Sequence, residues 1–291
     1  MIITKKFVLL NFPKNGSTYI REMIKQIHGV DNKKSLTRII NKLERKGVRV
    51  NKIRELLFAA NGLEERLFPS NMSLHTYDNN IVGPHTTYSQ IPLKHREKPV
   101  LISIRNPFER FVSLYEFGHW KGESGFKVNP KFPEIKQEFP DFPEISFNDY
   151  YKLMSEYGAN NMVRNPNKMK VDIGPYSLQF LKFVMPDPEN YIYQLTDEDI
   201  TENKIKNDIP SNICFIHTEN LNEELYEFLA AIGYNKSKVK KIIDQSNPIN
   251  SKKKKWKRTH FIEYLNEDII TDIKEKEKLI FYTFPEYKNS I

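Results

Sequence analysis

Apolar runs and helically spaced apolar positions divide this chain into short strands and longer helices. Phe7-Val8-Leu9-Leu10 is apolar throughout and too short for a helix of its own, which predicts a buried strand. Pro13 and Gly16 break that run. Ile20, Met23, Ile24 and Ile27 then recur at helical spacing behind Ser17-Thr18. The strongest strand signal covers 99–104. A helix is predicted over 107–115, with Pro107 in the first turn, where its missing N–H costs nothing. Residues 212–217 read as another buried strand, followed by a helix over about 222–232 that stops at Gly233. Further helices are predicted over 147–157, with Ser146 or Asn148 as the N-cap, over 176–184 and across much of 261–281, and Ile81-Val82-Gly83 reads as a short strand. Strands alternating with helices predict an α/β fold, its sheet mainly parallel and covered by helices on both faces.

Two stretches stand apart from this alternation. Residues 31–80 are rich in Lys and Asn, hold two predicted helices over 36–46 and 53–66, and read as a helical insertion within a single domain spanning 1–291. Over 118–146 periodicity disappears. Gly118, Gly122 and Gly125 are followed by Pro130, Pro133, Pro140 and Pro143, with Phe126, Phe132, Phe139 and Phe142 between them. So long an irregular stretch with interleaved aromatics reads as a lid or substrate wall.

Composition narrows the class. A hydrophobic share of 39% with 12% aromatics excludes wholesale disorder, and 291 residues suit one α/β domain with insertions. No run of apolar residues is long enough for a transmembrane helix, and the first strand begins without a signal-peptide pattern, so a cytoplasmic location is expected. The single cysteine, Cys214, lies in an apolar run, which favours packing over reactivity. Of the net charge of +8, six positive charges sit in the run Lys252, Lys253, Lys254, Lys255, Lys257 and Arg258, so the rest of the chain is nearly balanced. Such a run serves as a solvated surface, or as a contact for an anionic ligand, an anionic substrate or nucleic acid.

Candidate chemistry concentrates where the first strand turns into its helix. The unpaired N–H groups of a first helical turn and the positive end of the helix dipole favour an anion in that turn. Gly16 admits a close approach to the backbone, Ser17 and Thr18 add hydroxyls, and Lys14 adds a full positive charge, which together make a phosphate cradle. It is not a Walker A loop, because Lys14 precedes the glycine instead of following it. Arg105 closes the strand over 99–104, at the sheet edge where open α/β sheets bind ligands, and Ser113 follows eight residues on.

The turn has the form P-K-x-G-[ST]-[ST] after a strand and resembles the 5′-phosphosulfate loop of sulfotransferases dependent on 3′-phosphoadenosine 5′-phosphosulfate (PAPS). The segment Arg105-Asn106-Pro107-Phe108-Glu109-Arg110-Phe111-Val112-Ser113-Leu114-Tyr115 resembles that family's 3′-phosphate motif, R-[ND]-P-x-x-R-x-x-S-x-Y, and residues 215–221 resemble its strand ending in E-[DN]-L. The resemblance implies a P-loop-NTPase-like sulfotransferase fold. It also implies in-line transfer of the sulfuryl group from PAPS to an acceptor hydroxyl or amine, with 3′-phosphoadenosine 5′-phosphate (PAP) as product and no metal. On this likeness Pro13, Lys14, Asn15, Gly16, Ser17, Thr18 and Tyr19 form the 5′ loop, with Lys14 beside the bridging oxygen, and Arg105 and Ser113 bind the 3′-phosphate. His85 is the candidate base between the two motifs, with His119 as the next choice and His95, His217 and His260 behind it.

In the family a basic C-terminal segment often completes the nucleotide pocket, and 252–258 lies in that region without its R-K-G form. With His85-Thr86-Thr87-Tyr88-Ser89-Gln90-Ile91, this makes the likeness closer to carbohydrate-type than to cytosolic small-molecule sulfotransferases. A glycan or other small hydroxyl compound is the expected acceptor. Two other classes stay open: a P-loop kinase, which would need the absent Walker lysine, and a nucleotide- or nucleic-acid-binding protein without transferase activity. No RNA-recognition, helix-turn-helix or zinc-finger pattern is present, so nucleic acid is not an expected partner.

Overall fold

A computed structural model of the chain describes residues 1–30, 59–66, 68–69, 82–83, 85–122, 126–129, 131–158, 163, 165–245 and 258–291. In chain order the strands are β1 (Ile2–Thr4), β2 (Val8–Leu9), β3 (Leu63–Glu65), β4 (Phe68–Pro69), β5 (Val82–Gly83), β6 (Val100–Ile104) and β7 (Ile213–His217). The central sheet has the order β3-β1-β2-β6-β7, and β4 with β5 forms a separate antiparallel ribbon. β2, β6 and β7 pair in parallel, whereas β1 is antiparallel to both its neighbours, β2 and β3. β1 alone therefore runs against the rest, and the sheet is mainly parallel, as alternation of strands and helices requires.

The helices flank this sheet: α1 (Ser17–Ile27), α2 (Pro107–Phe117), α3 (Phe132–Glu138), α4 (Phe147–Leu153), α5 (Pro175–Val184), α6 (Pro188–Gln194), α7 (Asp197–Thr201), α8 (Ile205–Asp208), α9 (Leu221–Ala231), α10 (Lys236–Asp244), α11 (Glu267–Lys276) and α12 (Lys278–Thr283). Side chains alternate across a strand with period two, and the sheet's apolar residues divide accordingly. Leu9, Leu101 and Ile216 face a cluster with Ile20 and Ile24 of α1, Leu225 of α9 and Val239 of α10. Val8, Leu10, Val100, Ile102 and Ile104 face a larger cluster with Phe111 of α2, Phe180 and Phe183 of α5 and Ile280 of α12. Because both faces are covered, β6 is buried at every position, and all its residues but Ser103 are apolar.

Several expectations change at this level. The helix expected over 53–66 has ended by Gly62, whose φ of +71° reverses the chain, and Leu63–Glu65 pairs with β1 as an edge strand. β1 itself gave no strong signal, being three residues long and followed by Lys5-Lys6. The helix expected over 36–46 lies outside the described residues. The supposedly irregular stretch 118–146 contains α3, and its Trp120, Phe126, Phe139 and Phe142 are buried in the larger cluster. Mutual packing of these aromatics supplies the order that periodicity did not reveal. Helix 147–157 is α4, capped by Ser146 and continued by a π-helical turn, Met154–Gly158. Cys214 is a partly buried free thiol against the smaller cluster, and burial pushes its pKa up.

The start of α5 is fixed from the far end of the chain. Glu277, between α11 and α12 and wholly buried, accepts from Tyr176 N (3.0 Å), Ser177 N (2.7 Å) and Ser177 Oγ (2.6 Å). The carboxylate satisfies first-turn amides that have no intrahelical acceptor. Gly174 lets it approach, since a Cβ there would lie 2.3 Å from Glu277 Oε1. Gly174→Ala is accordingly expected to cost about 1–3 kcal/mol, read as a lower midpoint in denaturant unfolding with an unchanged slope.

Candidate active site

The chain leaves β2 through Asn11 and Phe12 and reverses at two residues of positive φ, Lys14 at +63° and Gly16 at +74°. α1 then begins at Ser17. Gly16 is required twice over: its conformation disfavours a side chain, and a Cβ would meet Leu221 Cδ2 at 3.1 Å and Thr218 Cγ2 at 3.2 Å. No side chain caps α1 and no acidic residue lies in its first turn, so its leading amides and dipole are open to an anion. Ser17 is buried and Thr18 exposed beside them. Asn15 is wholly buried, its Nδ2 without a hydrogen-bond partner. The Tyr19 hydroxyl donates to Asn222 Oδ1 at 2.6 Å, and burial pushes the phenol up to about 12. It ties α1 to α9.

Lys14 carries the unusual electrostatics of the turn. Burial, followed by the charges of Arg105 and Arg110, lowers its pKa to about 7. Its Nζ lies 2.9 Å from the centroid of Phe117, a cation–π contact with a ring that is 62% exposed at the end of α2. Arg105 Nη1 points at the carbonyl of Lys14, 3.5 Å away, although the two residues are 91 apart in sequence. The other edge of the fork, Nε and Nη2, donates to Glu109 Oε2 at 3.2 and 3.1 Å. Ser113, one turn beyond Glu109 on the same face of α2, is half-buried. Arg110 turns inward instead: it is 2% exposed, lies 3.9 Å over the ring of Tyr176 and donates to Gln179 Oε1.

His85 reaches the same loop from the other side. Its Nδ1 lies 2.9 Å from the carbonyl of Asn11, three residues before Lys14. A carbonyl only accepts, so Nδ1 carries the proton and the lone pair of the neutral ring sits on Nε2. Burial lowers the pKa of His85 more than the Asn11 bond raises it, and the charge of Arg21 adds to the lowering. His119, exposed, sets its ring parallel to that of Phe117 with centroids 6.3 Å apart, and its charge is felt at His85. Lys14 and His119 thus meet at Phe117 at the end of α2, and His85 contacts the loop that carries the lysine.

A family model described as a sulfotransferase domain matches residues 4–280. The chain belongs to the sulfotransferase family. It is an enzyme of sulfuryl transfer, in a family whose donor is PAPS. Searches of curated proteins and of solved structures return no match.

In this sulfotransferase three further histidines have neighbours of their own, while nothing is described of the His260 side chain. His28 contacts the Asn61 carbonyl and the Tyr234 hydroxyl, both at 2.9 Å, and His95 lies 3.9 Å from Glu64. His217 stands between Glu224 and Glu286 at 3.0 and 2.7 Å. Residues 252–257 of the basic run lie outside the described residues, as does His75. A cavity of about 620 Å³ opens beside the first turn of α2, lined by Asn106 and Glu109 with His217, Glu219, Glu224 and Tyr287. Its carboxylates, Glu109, Glu219, Glu224 and Glu286, have the wrong sign for a phosphosulfate. Among the described residues no helix is long and apolar enough to cross a membrane.

Two residues of the site escaped the sequence reading. Glu109 orients the Arg105 fork, and its spacing of four from Arg105 was a usable signal. Tyr176 bonds Arg105 from 71 residues away, and nothing local marks it.

Proposed function

We propose that this sulfotransferase moves the sulfuryl group of PAPS to a hydroxyl or amine of an acceptor, with a carbohydrate as the acceptor class. The observation that carries the reading is the approach of Arg105 Nη1 to the Lys14 carbonyl: two phosphate-binding motifs, distant in sequence, stand close enough to hold the two ends of one nucleotide. The residues present fit such a donor. Open amides at the start of α1, the buried and unpartnered Asn15 Nδ2, and three clustered cations all call for an anion. PAPS, when bound, supplies the activated sulfuryl group.

The chain's own residues do the rest. Lys14 offsets charge on the bridging oxygen, and the amides of the turn with Ser17 and Thr18 hold non-bridging oxygens. Arg105 and Ser113 hold the 3′-phosphate, with Glu109 keeping one edge of the guanidinium so that the other faces the turn. The cavity beside Asn106 has the volume for a nucleoside. His85 takes the acceptor proton on Nε2. Phe117, with His119 where 118–146 begins, walls the acceptor side, which supports the reading of that stretch as a substrate wall.

Incubation with sulfur-labelled PAPS across glycans, phenols, lipids and amines tests this, with Lys14→Ala as control. Transfer to a glycan is expected. Transfer confined to phenols would remove the carbohydrate assignment, and failure to bind PAP would remove the donor. Arg105→Ala is expected to weaken PAP binding by about 1.5–3 kcal/mol, the usual loss for a charge-assisted hydrogen bond, in isothermal titration. Unchanged affinity would contradict its assignment.

A further inference from the structure

Tyr176 stands between the two donor-gripping elements and belongs to neither. It is wholly buried in the first turn of α5. Its hydroxyl donates to the carbonyl of Arg105 at 2.9 Å and accepts the N–H of Arg105 at 3.2 Å. Asn15 Oδ1 lies 3.4 Å from the same hydroxyl. The ring supports the guanidinium of Arg110, while Glu277 holds the Tyr176 amide.

A phenol has one proton and can accept as well as donate. Both polar groups of Arg105's own backbone are therefore tied to this single oxygen, which fixes the direction in which the Arg105 side chain leaves the chain. The same oxygen abuts Asn15, between Lys14 and Gly16. One buried atom thus touches both the residue that carries the Arg105 side chain and the Lys14 turn. Their spacing matters energetically, because a misplacement of about 1 Å can cost 10²-fold.

We propose that Tyr176 is a positioning residue that sets the span between the two phosphate-binding elements and so makes nucleotide recognition depend on the 3′-phosphate. The proposal rests on the reading of PAPS as donor. Tyr176 acts through Arg105 and Asn15 and touches no substrate.

Tyr176→Phe keeps the ring beneath Arg110 and removes only the hydroxyl. Titration calorimetry with PAP and with adenosine 5′-phosphate, which lacks the 3′-phosphate, reads the effect without knowledge of the acceptor. The variant is expected to bind PAP about tenfold or more weakly, with its affinity for adenosine 5′-phosphate unchanged. Equal loss for both nucleotides, as a merely loosened fold would give, overturns the proposal, and so does no loss for either. Wild-type protein that shows no preference for PAP overturns the donor reading itself, a result distinguishable from the others because it needs no variant. Should the variant fail to fold, amide exchange in the wild type carries the same test. PAP is expected to slow exchange at Arg105 and Tyr176 together while adenosine 5′-phosphate slows neither, and protection of one amide without the other overturns the proposal.

Discussion

Lys14→Ala is expected to leave a folded protein whose sulfuryl transfer is about 10²–10³-fold slower. Removing one preorganised stabiliser of developing charge costs about that much in kcat, and the proposed function sets Lys14 against the bridging oxygen. Folding should not suffer. The ammonium is half-buried beside Arg105 and Arg110, and those surroundings hold its pKa at about 7, which marks the charged form as unfavourable in the free protein. The sign follows from linkage. Between about pH 7 and the ordinary lysine value the unfolded chain binds more protons than the folded one, so Lys14 makes wild-type stability rise across that window. Lys14→Ala should match or exceed the wild type in thermal midpoint at pH 7 and lose that part of the rise.

Nucleotide binding gives the converse. An anion in the turn favours the ammonium, so PAP binding above pH 7 should be accompanied by proton uptake and should weaken as pH climbs. The variant's affinity should lack this pH dependence, measured by calorimetry in buffers of different ionisation enthalpy. A variant that retains wild-type turnover would remove Lys14 from the mechanism.

His85→Ala is expected to lower kcat by about 10²–10⁴-fold, the usual contribution of a positioned general base, while PAP affinity stays near that of the wild type. The hydrogen bond of Nδ1 to the Asn11 carbonyl fixes the tautomer that leaves Nε2 able to take a proton. Because burial lowers the His85 pKa, the ring stays neutral to more acidic pH than an exposed histidine would, and the acid limb of kcat/KM should lie below the ordinary imidazole value. That limb should vanish in the alanine variant. Near-normal turnover would exclude His85 as the base and leave His119, beside Phe117, as the residue to test. The lost hydrogen bond itself should cost only about 0.5–1.5 kcal/mol of stability, so a large kinetic effect on a folded variant separates catalysis from structure.

What was legible in the sequence was whatever depends on near neighbours. The turn from β2 to α1 announces itself because an apolar run, a glycine of positive φ and a helical repeat lie within a few residues of one another. The same holds for β6 and α2, where Asn106 caps the helix, Pro107 opens it and Arg105 closes the strand. The sequence also showed both phosphate motifs in order, and hence the family. Tertiary structure alone decided that Arg105 meets the Lys14 carbonyl, that Tyr176 pins Arg105, and that Glu277 anchors α5 from a hundred residues downstream. It also turned residues 63–65 into an edge strand against β1 and gave the proline-rich stretch its buried aromatic packing. The physical reason is common to all of these. Local pattern records which face of an element must be buried, whereas a hydrogen bond or ring contact between distant residues leaves no periodic trace and exists only once the faces have met.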